Sequence, residues 1–497
     1  MMQKTYLLVF FLAITFNVFS QEKRIKIVHA DNTFVDEAKY PGATILSGNV
    51  HIIHQGISLK CTKAIQYKKS NFLKAIGNVV INQGDSIIQT SHYSNYNGNT
   101  KLAVSWGNVK LKDNAVTLLT DTLNFDRKKQ VLYYNDSGTI IDSINTLKSK
   151  EGHYYLENKK FVAKTNVVLT NPDYILKSER LDYYTNSKIA YLFGPSRIIS
   201  PESTIYCEKG FYNTSNDIAH FLKNAKIISK NQVIEGDSLY YNKVLGFSSA
   251  TGNVIVTDIK NNTISKGGYA EYYKFKDSSF VVKNAMAIII SARDSLFIHG
   301  DTLLLTGEQD NRKIRAFHHV KFYKPDLQGA CDSIFSNSAT GVTTMYKNPI
   351  LWANDSQITG DTIIFTKNVE TNKLDSLKVL HNALIIQKDS SGFNQIKGRF
   401  IKGKFTDSDL KDVDVIGNSE LLYYLRNDAG KLIGINKSEC SKIRFVLKKG
   451  DIQSVKFITK PEGITYPESE LPKNVRKLRG FIWREAERPK TKFHIYN

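Results

Sequence analysis

The chain repeats a short phrase at a nearly fixed interval. Gly-Asn-Val followed by alternating apolar residues occurs at Gly48-Asn49-Val50, Gly77-Asn78-Val79, Gly107-Asn108-Val109 and Gly252-Asn253-Val254. Looser copies stand at Asn166-Val167, Asn224-Ala225, Asn284-Ala285, His319-Val320, Asn348-Pro349, Asn382-Ala383 and Gly417-Asn418. The steps are 29 and 30 across Asn49, Asn78 and Asn108, then 58, 29 and 31 from Asn166 through Asn224 and Asn253 to Asn284. A period of this size describes small units that cannot bury their apolar faces alone and must stack. It overrides length as a guide to domain count.

Each unit carries a second phrase: a small residue, an acid or hydroxyl, any residue, an apolar one, any residue, an aromatic. Gly236-Asp237-Ser238-Leu239-Tyr240-Tyr241 is the cleanest copy, and Thr120-Asp121-Thr122-Leu123-Asn124-Phe125 and Ser178-Glu179-Arg180-Leu181-Asp182-Tyr183 follow it. The alternation has period two, so both phrases predict strands with one buried face. In Val109-Lys110-Leu111-Lys112 the apolar pair is expected to face inward and the lysines water. Asn, Asp, Gly, Ser and Lys fill the intervals, as turns require.

The two ends break the pattern. A basic start at residues 1–4, an apolar run from Tyr6 to Val18 and a cleavage point at Ser20-Gln21 read as a secretory signal peptide over residues 1–20. Residues 21–460 are then expected to form one all-β stack of about thirteen repeats. Four of the ten prolines fall at Pro461, Pro467, Pro472 and Pro489, marking a tail over 461–497. Its Lys473–Arg484 stretch mixes cations with Leu478, Phe481, Ile482 and Trp483, which suits either a membrane surface or partner, or a loose cap on the last rung.

The net charge is +21, and only fourteen of the 68 cations are Arg. An exported chain without a nucleic-acid-binding motif does not point to nucleic acid; lysine keeps a long sheet soluble and protects its edges, or draws it to anionic lipid phosphates. Cys61, Cys207, Cys331 and Cys440 all fill the small-residue slot and lie several units apart, so four isolated buried thiols are expected. Asp121, Asp237, Asp301, Asp332 and Asp361 recur at one phase, which predicts a structural task at turns or strand ends rather than catalysis. His51 and His54, three apart on a strand, would point to opposite faces, and His318-His319 likewise, so no metal pair is expected. No cofactor motif is visible, and the chain does not read as an enzyme.

The Gly-Asn-Val phrase with its small-Asp-x-apolar-x-Tyr companion resembles the LptA/OstA family, periplasmic bridge proteins of lipopolysaccharide export in Gram-negative bacteria. The resemblance is strongest over Gly48–Tyr133 and Asn224–Tyr272 and covers most of the mature chain. The chain is longer than a single bridge subunit, has no room for the outer-membrane barrel of the related translocon protein, and ends in a tail that matches nothing in the family. The resemblance implies a β-jellyroll: two facing antiparallel sheets in a twisted, V-shaped stack around an apolar groove. It further implies acyl chains of lipopolysaccharide in that groove, with Val50, Ile52, Val79, Ile81, Val109, Leu111, Val167, Leu169, Val254, Val256, Val320 and Phe322 as the inward, lipid-binding residues. The same residues would equally pack a closed, dry solenoid core. Like-built jellyrolls of an inner-membrane anchor and an outer-membrane translocon would be the partners, joined by strand addition to a stack ~60–125 Å long. The rivals are an exported β-solenoid that binds polysaccharide and an envelope scaffold that carries no lipid.

Overall fold

The computed structural model describes residues 24–84, 86–290, 294–307, 311–371, 373–406, 409–448 and 451–496. The expected signal peptide lies outside them. Among the described residues the fold is all-β, as the alternation requires, and the helical elements are three-residue 3-10 turns. Among the described residues no helix is long and apolar enough to cross a membrane. The chain forms two compact units, 1–201 with 211–215, and 202–210 with 216–497.

After two short strands, Lys26–His29 and Asn32–Phe34, the N-terminal unit is built mainly of strands of 11 or 12 residues, from Thr44–His54, Ile57–Tyr67, Phe72–Gln83 and Ile87–Asn97 onward. Each pairs antiparallel with the next in sequence. The Gly-Asn phrase does not start a strand or make a turn between strands. It lies mid-strand, where both residues are left-handed: Gly48 and Asn49 at φ 73° and 43°, Gly77 and Asn78 at 75° and 48°, Gly107 and Asn108 at 79° and 54°. The ladder shifts register there, between Ser47 and Val50 for instance. Two consecutive left-handed residues make a bulge that bends the strand, and Gly and Asn are the residues that adopt this conformation at least cost. Residues before the corner (Leu46, Ala64, Leu73, Ala75) and after it (Ile52, Leu59) meet in one packed cluster. The bend therefore folds each strand into two facing layers around a shared interior.

The second phrase serves the corner. Its small slot lies opposite the residue after the bulge, as Cys61 opposite Val50 and Ser178 opposite Val167. From this slot Cys61, Cys331 and Cys440 donate their thiols to the carbonyls of Lys63, Ser333 and Lys442 at 3.2, 3.3 and 3.1 Å. Ser91, Ser149 and Ser178 donate hydroxyls the same way, two residues on. The slot thus asks for a small residue, and where Cys or Ser fills it the polar hydrogen goes to the carbonyl two residues on, while Gly236 and Gly300 fill it elsewhere. All four cysteines are buried and unpaired, as expected. The acid beside the slot holds the corner itself. Asp237 accepts from the Asn253 amide at 3.1 Å, Asp361 from Asn382 at 3.1 Å, and Asp301 bonds His319 at 2.9 Å. Asp237 and Asp361 thus hold a corner side-chain amide rather than a turn backbone, Asp301 and Asp332 meet corner histidines, and Asp121 accepts from the adjacent Thr122.

One rung per unit is split. Between Val116–Asp126 and Lys160–Asn171 stand four short strands, Val131–Tyr134, Gly138–Ile141, Thr146–Ser149 and Glu151–Tyr155. Tyr134 fills the break: a Cβ on Gly138 or Gly152 would come within 2.3 or 2.4 Å of its ring. This split accounts for one long step in the repeat, from Asn108 to Asn166. The other, from Asn166 to Asn224, hides a corner at Gly194-Pro195, with Gly194 at φ 77°.

The C-terminal unit repeats the scheme from Ile218–Ser229 to Leu432–Lys448, with its own split rung at Val342–Tyr346, Ile350–Ala353, Ser356–Thr359 and Thr362–Lys367. Strand structure continues past Pro461: Glu462–Tyr466 pairs with the Leu432–Lys448 strand. The tail beyond it packs on this unit, with Leu471 and Leu478 buried against Leu422, Tyr424 and Ile435, while Ile482 and Phe493 stay exposed.

Candidate functional site

The interior of the N-terminal unit holds an apolar cavity that opens to solvent. Its walls come from both layers. Leu111 and Leu169 follow corners; Leu118, Leu147 and Leu176 face them from neighbouring strands, and Tyr154, Phe161, Tyr183 and Ala190 close it from the other half of the rungs. Each is set inward by strand alternation alone. Leu111 and Leu169 are 4 and 6% exposed, while Lys110 and Lys112 on the Leu111 strand, Lys148 beside Leu147 and Lys177 beside Leu176 stand exposed on the outer face. Apolar groups therefore line the inside of a wall whose outside is cationic.

The polar groups at this cavity are matched within the protein, which keeps the walls apolar in effect. Asp113 is buried, and accepts from the Tyr154 hydroxyl at 2.8 Å and the Lys159 ammonium at 2.7 Å. Burial, reinforced by Asp113, raises the Tyr154 phenol well above its ordinary range, so it stays neutral. Burial also raises Tyr183. Asp142 accepts from the Asn145 backbone at 2.7 Å, and Asn145 in turn accepts from the Asn171 amide at 2.8 Å. Deeper in the wall, burial would raise Asp182, but hydrogen bonds from Arg180 and Lys160 outweigh it and hold the carboxyl low.

A second cavity lies nearer the N-terminus, lined by Ile25, Ile52, Leu59, Leu73 and Ile81, with Tyr96 and Arg127 at its polar side. Arg127 donates to the Tyr96 hydroxyl at 2.7 Å and to the Gln55 carbonyl at 3.0 Å.

The twelve inward residues read from the sequence divide by position. Ile52, Ile81, Leu111 and Leu169, two residues further along than the corner valines, line the two cavities. Val50, Val79, Val109 and Val167 are 1–2% exposed and pack beneath the corners without lining either cavity. Val254, Val256, Val320 and Phe322 belong to the C-terminal unit; Val254, Val320 and Phe322 are buried and Val256 is half-buried. The residues missed are Leu118, Leu147 and Leu176, which pair with Leu111 and Leu169 in the same layer, and the tyrosines of the facing layer, which the aromatic position of the second phrase signalled. His51 bonds Ser58 at 2.9 Å and His54 bonds Tyr96 at 2.7 Å, each a separate structural contact. Among the described residues no three His, Cys, Asp or Glu side chains gather at metal-binding distance.

Residues 22–179 and 175–237 match the family described as OstA-like protein. Among solved structures the chain is similar to LptH from Pseudomonas aeruginosa, described as the LptA homologous periplasmic component of the conserved lipopolysaccharide transport device. The likeness has 15% identity and a TM-score of 0.22, over 28% of this chain and 95% of that one. No curated protein matches the chain.

Proposed function

Because residues 22–179 and 175–237 match the OstA-like family, we propose that this chain is a lipopolysaccharide carrier of the cell envelope that holds acyl chains inside its N-terminal unit. The observation that carries this reading is the open apolar cleft between the bent strands, lined by leucines and aromatic rings. An acyl chain crossing water exposes CH₂ groups at ~0.8 kcal/mol each, so a chain of about twelve carbons is held back by roughly 9 kcal/mol unless an apolar wall receives it. Leu111, Leu118, Leu147, Leu169 and Leu176 supply that wall. The exposed lysines on the outside suit the lipid's phosphates, which remain in water.

In this reading the leader expected over residues 1–20 would deliver the carrier to the periplasm. The chain acts as a passive conduit towards the outer membrane, without a catalytic step. Like-built jellyrolls would join it at exposed edges by strand addition. The first strands suit this: Asn32–Phe34 is exposed along its length, with Phe34 48% exposed.

Photo-crosslinking in cells tests the reading. Photoreactive residues at Leu111 and Leu169 should capture lipopolysaccharide, and those at Lys110 and Lys112 should capture far less. Equal capture at inner and outer positions would end the proposal.

A further inference from the structure

One transverse row crosses the inner face of the C-terminal unit. Leu422 faces Gln395, Gln395 faces Ile386, Ile386 faces Gln357, Gln357 faces Trp352, and Trp352 faces Gln328. All six are 0–3% exposed. Directly opposed residues in an antiparallel sheet share a face, so every second member of a buried apolar row is a glutamine, ~9.6 Å from the next. A buried amide without partners costs about 1–3 kcal/mol. A sheet meant only for acyl chains gains nothing from three of them.

Their partners are the last residues of the chain. Gln395 Nε2 donates to the Arg476 carbonyl at 2.9 Å, and its Oε1 accepts from the Leu478 N–H at 2.8 Å. Gln357 repeats the bond pair six residues on: Nε2 donates to the Ile482 carbonyl at 2.7 Å and Oε1 accepts from the Arg484 N–H at 2.7 Å. Gln328 Oε1 accepts from Arg488 Nε at 2.8 Å. Each of the first two amides grips the carbonyl of one residue and the N–H two further on, which is recognition of a main chain. Apolar contacts fill the intervals. Phe393 meets Phe481 and Trp483 at 5.2 Å each. At the far end Ile495 is 1% exposed and the Tyr496 hydroxyl reaches the Met286 sulfur at 3.0 Å. No residue after Tyr466 belongs to a strand, so this segment is a guest on the sheet and not part of its wall.

We propose that residues 471–496 are the resident occupant of the C-terminal unit's interior, held by Gln328, Gln357 and Gln395. While seated, the tail closes that interior to acyl chains and leaves lipid capture to the N-terminal unit. The second statement rests on the carrier reading; the first does not.

The test uses the purified full chain and a photoreactive long-chain fatty acid, with labelled residues mapped by mass spectrometry. Labels should fall near Leu111, Leu147 and Leu169 and be absent near Trp352 and Ile386. A chain ending at Pro467, or the Gln357→Leu/Gln395→Leu double variant, should gain labels near Trp352 and Ile386. Hydrogen exchange on the intact chain should find the Leu478 and Arg484 amides protected, and the double variant should speed their exchange roughly 100-fold. Three results overturn the proposal: free-peptide exchange at those amides, equal labelling of the C-terminal unit with and without its tail, or a folded truncated chain that gains no label there. Absence of label near Leu111 and Leu169 in the intact chain sinks the carrier reading instead, and exchange still decides the tail's place.

Discussion

Replacing Lys159 by Met should destabilise the N-terminal unit far more than an ordinary surface ion pair would suggest. Lys159 Nζ is 2.7 Å from Asp113, and the side chains are 28% and 3% exposed. The carboxylate is enclosed and the ammonium is not. Removing the cation leaves a buried charge supported by Tyr154 and by Asn114, whose amide donates at 3.2 Å. Breaking a buried pair typically costs about 3–5 kcal/mol. The partly exposed lysine and the two remaining donors lower this to roughly 2–4 kcal/mol. Asp113→Asn should cost only about 1 kcal/mol, because the stranded lysine can reach water. The double variant should resemble Asp113→Asn alone, giving a coupling of about 2 kcal/mol. Amide exchange along the Leu102–Asp113 strand reads the effect locally, where 2 kcal/mol is a factor of about 30. A cost below about 1 kcal/mol for Lys159→Met, or a double variant as weak as the sum of the singles, would refute the asymmetry.

Gly252→Ala should cost about 2–3 kcal/mol, because Gly252 is at φ 71° and a Cβ would meet the Asp237 carboxylate at 2.2 Å. Gly194→Ala, also left-handed but 3.4 Å from its nearest neighbour, should cost only about 1–2 kcal/mol; equal urea-unfolding losses would count against the steric account. Burial pushes the Cys61 and Cys207 thiols up to about 11 and Cys331 up to about 12, so a thiol reagent at pH 7.5 should label them only when denaturant opens the sheet. Arg426 holds the Asp389 carboxyl below its ordinary value. The stability this pair contributes is present above the ordinary carboxylate pKa, about 3.9, and is lost as pH falls through the lowered one. Urea midpoints should therefore drop below about pH 4 in the native chain and drop less in Arg426→Met, which starts lower at neutral pH; parallel curves would contradict this.

The spacing of Asn49, Asn78 and Asn108 made the stack legible, and alternation around Val109 and Leu111 gave the inward face. What the phrase did locally was hidden. A Gly-Asn pair ordinarily signals a turn between strands, and only the register shift shows it bending a single strand. The corner valines, most prominent in the sequence, proved too deep beneath the corner to line a cavity. The cavity wall needs residues such as Leu147 and Tyr154, which lie on the short strands of a split rung where the repeat fades. The tail was illegible for a different reason. Its cations and aromatics suggested a surface, while the side chains that hold it, Gln328, Gln357 and Gln395, lie far upstream and look like ordinary polar residues in strands. Only cross-strand register lines them up.

The paired left-handed corners fix the angle between the two layers through the main chain rather than through whatever fills the space between them. A host built this way behaves like a sprung clip: emptying it does not require the jaws to shut. Little reorganisation is then needed for a guest to enter or leave, which favours fast exchange of cargo over tight storage.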